Sequence, residues 1–263
     1  MGKLDGKVAF ITGAGAGIAK AAALTFAREG ARIAIIELNA EAGAQTEAAV
    51  AAQGGQGLFI KTDVTDSAQM QAAVERTVAR FGGLNVIMNC AGGSTQRDFP
   101  VHEMDIANWH HTIALNLLHP FLSCQYGIPH LMKAGGGSII NFASSLGMVG
   151  SVKPAYAAAK GGIVAFTRTL AAQYAQHGIR ANAIAPGVVR SERQLGRWED
   201  PNGEKTPARL AYDNLKKLYP FSVSEPSEIA ALALFLASDD SRMMTGATVS
   251  ADGGKSAYLK VAP

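Results

Sequence analysis

An α/β fold, with a doubly wound parallel β-sheet flanked by helices on both faces in a single domain, follows from three observations. Short β-branched runs alternate with longer alanine-rich stretches along the chain, which is the sequence form of strands buried on both sides and joined by helical crossovers. A glycine-rich turn, Gly13-Ala14-Gly15-Ala16-Gly17, separates the first run from the first helical stretch, where the backbone needs geometries a side chain would block. With 263 residues, 48% of them hydrophobic, the chain can bury a sizeable core, and no break in composition marks a second domain.

The elements follow in order. Val8 to Thr12 is the first strand, and Ile18 to Arg28 the first helix, stopped by Gly30. Arg32 to Glu37 is the second strand, Ala40 to Gln53 a helix ended by Gly54-Gly55, and Gly57 to Thr62 the third strand. Asp66 with Gln69 has the form of a capping box opening a helix to Phe81. Leu84 to Asn89 is the fourth strand, and a long helical stretch from Asp105 carries Asn116 toward His130. The apolar run Ser138 to Phe142 is a buried strand that delivers Ser144 and Ser145 at its C-terminal end; a helix bearing Tyr156 and the strand Ala181 to Ile184 come next. Residues 191–224 lack a sustained period and form a substrate-binding lid or loop, with a short helix from Pro207 to Leu218 inside it. Pro226 starts a helix through Leu236, and Thr248 to Ser250 is the last strand.

Charge and cysteine content exclude several classes. The net charge of +3 comes from scattered basic residues, so no nucleic-acid footprint and no anionic-membrane patch is expected. Cys90 and Cys124 have neither metal-ligand nor disulfide spacing, as suits a reducing compartment. None of the six histidines has trustworthy ligand spacing, so no metal is expected. The N-terminal residues lead directly into a strand without a long apolar segment, and no apolar run is long enough to span a bilayer. These features predict a soluble, cytoplasmic protein.

The chemistry gathers at three places. Tyr156-Ala157-Ala158-Ala159-Lys160 puts a phenol and an ammonium four residues apart, on one face of a helix. A cation there favours the phenolate and draws its pKa down from about 10, so the tyrosine can exchange a proton with an alcohol or carbonyl. The turn Thr12-Gly13-x-x-x-Gly17-x-Ala19 follows a strand and opens a helix, whose free N–H groups suit a pyrophosphate; this is a Rossmann-type arrangement. Glu37 ends the second strand about 20 residues later, at the interval where a carboxylate meets the adenosine ribose hydroxyls and would repel a 2′-phosphate. NAD is therefore the expected cofactor.

Together with Asp63-Val64, Asn89-Cys90-Ala91-Gly92, Asn116, Ser144 and Pro186-Gly187-Val188-Val189-Arg190-Ser191, these motifs resemble the short-chain dehydrogenase/reductase family over nearly the whole chain. The resemblance implies that Gly13, Gly15, Gly17 and Ile18 bind the cofactor's pyrophosphate side, and that Asp63 and Val64 hold the adenine. Asn89, Ala91 and Gly92 would lie beneath the cofactor, and Pro186, Gly187, Val189 and Ser191 would meet the nicotinamide carboxamide. Tyr156 would be the general acid/base, Lys160 its tuner and a ribose ligand, Ser144 the partner of the substrate oxygen, and Asn116 the organiser of a relay water.

Three departures from the family pattern stand out. Ala19 replaces a glycine, Cys90 replaces an asparagine, and a shortened loop lets Ser145 compete with Ser144, which is chosen because it lies three residues before Gly147. The expected activity is interconversion of a secondary alcohol and a ketone on a small-molecule substrate with NAD. Alternatives are reduction of 3-oxoacyl thioesters and a non-catalytic nucleotide sensor. The resemblance also implies a homotetramer, with the last helices and C-terminal tail at its interfaces; the apolar segment Ala230 to Ala237 suits that, and suits core burial within one chain equally.

Overall fold

The computed structural model describes residues 2–192, 194–195 and 206–257. Among them, seven parallel strands form a sheet in the order β3-β2-β1-β4-β5-β6-β9. Its strands are β1 (Val8–Thr12), β2 (Arg32–Glu37), β3 (Gln56–Lys61), β4 (Val86–Asn89), β5 (Gly137–Phe142), β6 (Ile179–Pro186) and β9 (Thr248–Ala251). β1 and β4 are fully buried, as expected of central strands covered on both sides.

Successive residues of one strand serve opposite cores. Ala9 and Ile11 pack with Ile33, Ile35, Met88 and Ile140, under helices α1 (Gly17–Arg28), α2 (Ala40–Ala52) and α8 (Pro226–Ala237). Val8 and Phe10 pack with Ile36, Ile87 and Ile139, under α3 (Ser67–Phe81), α5 (His119–Lys133) and α6 (Pro154–Tyr174). The helix α8 buries Ile229, Ala230, Ala233 and Leu236 in the same cluster as Ala22 and Phe26 of α1. Packing within the chain therefore accounts for the apolar run at 230–237.

The order of strands reverses between β1 and β4, which pair Thr12 with Asn89. A crevice opens at such a switch point, beyond the strands' carboxyl ends.

Three local features differ from expectation. The Asp66 carboxylate accepts from the Ala68 and Gln69 N–H groups, but Gln69 does not reach back to the Asp66 N–H. Its Oε1 accepts from Asp63 N at 2.9 Å while its Nε2 donates to Asp66 Oδ2. The half-box thus ties the end of β3 to α3. The long helix predicted from Asp105 is interrupted: α4 (Ile106–Ile113) and α5 flank a π-helical turn, Ala114–Leu118. Pro120 has no N–H for the carbonyl of Asn116, and Asn116 Nδ2 donates to Thr112 O at 3.0 Å, so a side chain intrudes on the i→i−4 ladder.

The third difference lies in 191–224, which is less irregular than expected. A short helix, α7, spans Pro207–Leu218 as anticipated, and β7 (Val188–Val189) pairs with β8 (Val223–Ser224) to close the excursion. Arg193, Arg197 and Trp198, which the sequence offers to the lid, and its turn formers Pro201-Asn202-Gly203 lie outside the described residues. Among the described residues no helix is long and apolar enough to cross a membrane.

Candidate active site

A cleft of about 550 Å³ runs along the carboxyl edge of the sheet. Its floor is the end of each strand in turn: Gly13 after β1, Glu37 on β2, Asp63 and Val64 after β3, Ala91 and Gly92 after β4, Ser144 after β5, and Pro186 and Gly187 at β6. Gly17, Ile18, Val189 and Ser191 line it too, and Tyr156 and Lys160 project from the first turns of α6.

At one end, Glu37 Oε2 accepts from Gly15 N at 3.0 Å while Oε1 accepts from Leu38 N and Asn39 N. Gly15 therefore shapes the site through Glu37, not as part of the cleft wall. Asp63 Oδ1 is held by the N–H and hydroxyl of Thr65. The N-terminus of α1 has no side-chain cap and no acidic residue in its first turn, leaving N–H groups for an anion. The Glu192 carboxylate takes up that offer, accepting from Gly17 N at 3.1 Å. A negatively charged group from the chain itself thus stands at this helix N-terminus, so the position accepts an anion, as a dinucleotide's pyrophosphate would require.

At the other end, Lys160 is buried and its Nζ donates to Phe142 O at 2.6 Å. The same Nζ lies 5.7 Å from the centre of the Tyr156 ring, so burial and the end of β5 hold the ammonium beside the phenol. Ser144 is in extended conformation and accepts from Leu146 N at 3.2 Å, opening the short turn Ser145–Gly147. A Cβ on Gly147 would come within 2.7 Å of the Lys160 backbone, so only glycine lets this turn lie on α6. In this turn Ser144 lines the cleft and Ser145 does not.

Two predicted residues lie behind the cleft. Asn89 is buried, donating to Asn141 Oδ1 at 2.8 Å and accepting from the Ser123 hydroxyl. It acts as a core clamp between β4, β5 and α5. Asn116 is also buried; its Oδ1 accepts from Gly93 N at 2.9 Å and its Nδ2 donates to Gly93 O at 3.2 Å. Gly92, at φ +146°, would put a Cβ 2.6 Å from Asn116 Oδ1 and 3.5 Å from Lys160 Nζ. Asn116 and Lys160 thus meet around a residue with no side chain.

Several supporting residues have roles that no sequence motif assigns. Thr12 Oγ1 accepts from Cys90 N at 3.0 Å and Ala91 N at 3.1 Å, and lies 3.3 Å from His119 Nε2. It pins the end of β4 to that of β1. Asp98 and Glu192 also escaped notice, although the pairing of Lys153 with Pro154 at the start of α6 leaves that helix without a cap of its own, a sign that something distant must supply one. Burial pushes the Cys90 thiol up to about 12 against the pull of Lys160, and the Cys124 thiol likewise to about 12. Among the described residues no cluster of side chains could hold a metal ion.

Burial also pushes the His119 imidazole down to about 3, the Leu115 carbonyl opposing and the Lys160 charge assisting the fall. The unfolded chain binds a proton near pH 6.5 that the folded chain refuses. Stability should therefore be full above about pH 6.5 and decline on acidification toward 3, by about 1.4 kcal/mol per pH unit for one proton. Calorimetry of the wild type and His119→Gln at pH 7.5 and pH 5 checks this. The variant should lose less stability over that interval, and equal losses would remove His119 as the cause.

A family model described as enoyl-(acyl carrier protein) reductase matches residues 13–256. A D-threitol dehydrogenase from Mycolicibacterium smegmatis is 40% identical over 96% of this chain and 94% of its own length. A solved short-chain dehydrogenase/reductase from Burkholderia xenovorans superposes with a TM-score of 0.91 at 33% identity, covering 99% of this chain and 100% of its own. A 7α-hydroxysteroid dehydrogenase, solved with NADH and 7-oxo glycochenodeoxycholic acid, superposes with a TM-score of 0.87 at 29% identity, over 95% of this chain and 94% of its own.

Proposed function

The chain belongs to the short-chain dehydrogenase/reductase family, and from that premise we propose that it is an NAD-dependent dehydrogenase interconverting a secondary alcohol and a ketone. The observation carrying this reading is the convergence of Ser144, Tyr156 and Lys160 on one end of a cleft whose other end presents Glu37 and the N-terminus of α1, which has no cap from its own N-cap residue. The nicotinamide, when bound, supplies the hydride acceptor or donor. The chain's residues move and stabilise the proton: Tyr156 takes it from, or gives it to, the substrate oxygen, Ser144 polarises that oxygen, and Lys160 favours the phenolate. Asn116, holding Gly93 against the same corner, organises the relay water.

In this reading Gly13, Gly17 and Ile18 face the pyrophosphate and Gly15 sets Glu37 for the ribose hydroxyls. Asp63 and Val64 border the adenine, Ala91 and Gly92 form the floor over the Asn89 clamp, and Lys160 also meets the nicotinamide ribose. Pro186, Gly187, Val189 and Ser191 receive the carboxamide. Substrate choice is assigned to the segment after Val189, since Ser191 and Gln194 line the cleft. The similar proteins named for a polyol and a hydroxysteroid support an alcohol substrate. A soluble, cytoplasmic homotetramer is part of the proposal; the exposed Phe121 and Met132 on α5 supply an apolar face for a second copy, and light scattering tests the assembly.

Incubation with NAD and a panel of secondary alcohols, including polyols and hydroxysteroids, should generate NADH absorbance with at least one of them. No turnover across the panel in either direction, with cofactor binding intact, would favour the sensor alternative. With an active substrate, kcat/KM for NAD should exceed that for NADP at least about tenfold, because charge-assisted hydrogen bonds to Glu37 carry about 1.5–3 kcal/mol and tenfold needs about 1.4. Equal efficiencies would remove Glu37 as the discriminating residue.

A further inference from the structure

The acid/base tyrosine sits in a weak place: it is the third residue of α6, which begins at Pro154. The N–H groups of a helix's first turn have no partner within the helix, and such turns fray unless a side chain caps them. Lys153, at the capping position, makes no side-chain cap bond, and Pro154 carries no N–H. The groups left open are therefore the amides of Ala155 and of Tyr156 itself.

Asp98 closes both. It is 3% exposed, its Oδ1 accepts from Ala155 N at 3.1 Å and its Oδ2 from Tyr156 N at 3.0 Å. A carboxylate suits the positive end of a helix, and here each oxygen has its own donor. Lys153 Nζ adds a bond to the Asp98 carbonyl at 3.4 Å. The segment that brings Asp98 in is anchored at its start by the paired bonds between Gly93 and Asn116. The wall of the cleft and the first turn of α6 are thereby joined through one buried carboxylate.

We propose that Asp98 is a positioning residue for Tyr156, holding the backbone of the acid/base in place from a segment 58 residues earlier in the chain. It rests on the reading of Tyr156 as the acid/base. Misplacement of a reacting group by about 1 Å can cost about 10²-fold in rate, whereas the cofactor's adenosine contacts lie on other elements. Removing the carboxylate should therefore lower kcat and spare dinucleotide binding.

The test compares Asp98→Ala and Asp98→Asn with the wild type. Asparagine keeps the size of aspartate but has one acceptor oxygen, so its amide group opposes one of the two N–H donors; it carries the test if the alanine variant does not fold. Expected are a fall in kcat of at least about tenfold, an NADH Kd by fluorescence within about twofold of wild type, and partial recovery of kcat when Lys153→Asp supplies a local cap in the Asp98→Ala background. In hydrogen exchange, which needs no substrate, the Ala155 and Tyr156 amides should lose protection in Asp98→Asn. A kcat within twofold of wild type, parallel losses of kcat and NADH affinity, or unchanged exchange at those amides would overturn the proposal. If the wild type turns over no alcohol, the proposed function fails on that result while hydrogen exchange still decides the role of Asp98.

Discussion

Tyr156→Phe is expected to lower kcat by about 10²–10⁴-fold, the range attached to a positioned general acid/base. The substitution keeps the ring, its place in the first turn of α6 and the neighbouring Lys160 ammonium 5.7 Å from the ring centre; what it removes is the hydroxyl that exchanges the proton. NADH binding should change by about tenfold at most, because a single lost hydroxyl contact is worth about 0.5–1.5 kcal/mol and the adenosine end of the cleft is untouched. Steady-state rates with an active alcohol, alongside fluorescence titration with NADH, separate the two effects. A variant retaining a tenth or more of wild-type kcat would show that the proton travels by another group.

Ser144→Ala should lower kcat by about 10²–10³-fold, as does loss of one preorganised donor to a developing oxyanion, while Ser145→Ala should leave kcat within a few-fold. The two serines are adjacent in sequence, so the contrast tests geometry alone. Ser144 lines the cleft and opens a turn whose Gly147 lies against the Lys160 backbone, whereas Ser145 is buried outside the cleft wall. Both variants are measured at saturating cofactor with the same alcohol. The reverse pattern, with Ser145→Ala inactive and Ser144→Ala active, would mean that the loop presents the other hydroxyl to substrate.

Much of this architecture is legible in the chain because its determinants are local or periodic. Val8 to Thr12 reads as a strand and is one; Tyr156 and Lys160 share a helix face because 3.6 residues make a turn; Glu37 ends its strand at the interval a dinucleotide needs. Even the helix Pro207–Leu218 follows from its proline start and its leucine spacing. These signals involve residues within a few positions of each other, or one strand and the turn after it.

What the tertiary structure alone decided are the partners of polar groups far apart in sequence. Gln69 looked like a reciprocal cap for its own helix, but the nearby Asp63 N–H at the end of β3 claims its carbonyl. The side chains of Asn89 and Asn116 are held by Asn141 and by Gly93, partners that no local motif names, because a buried amide must satisfy its donors and acceptor wherever the packed chain supplies partners. Asp98 beneath the Tyr156 amide and Glu192 over the Gly17 amide likewise arise from long-range closure. No period or local motif encodes such a pairing, because its free energy comes from desolvation that exists only once the two segments have been brought together by the core.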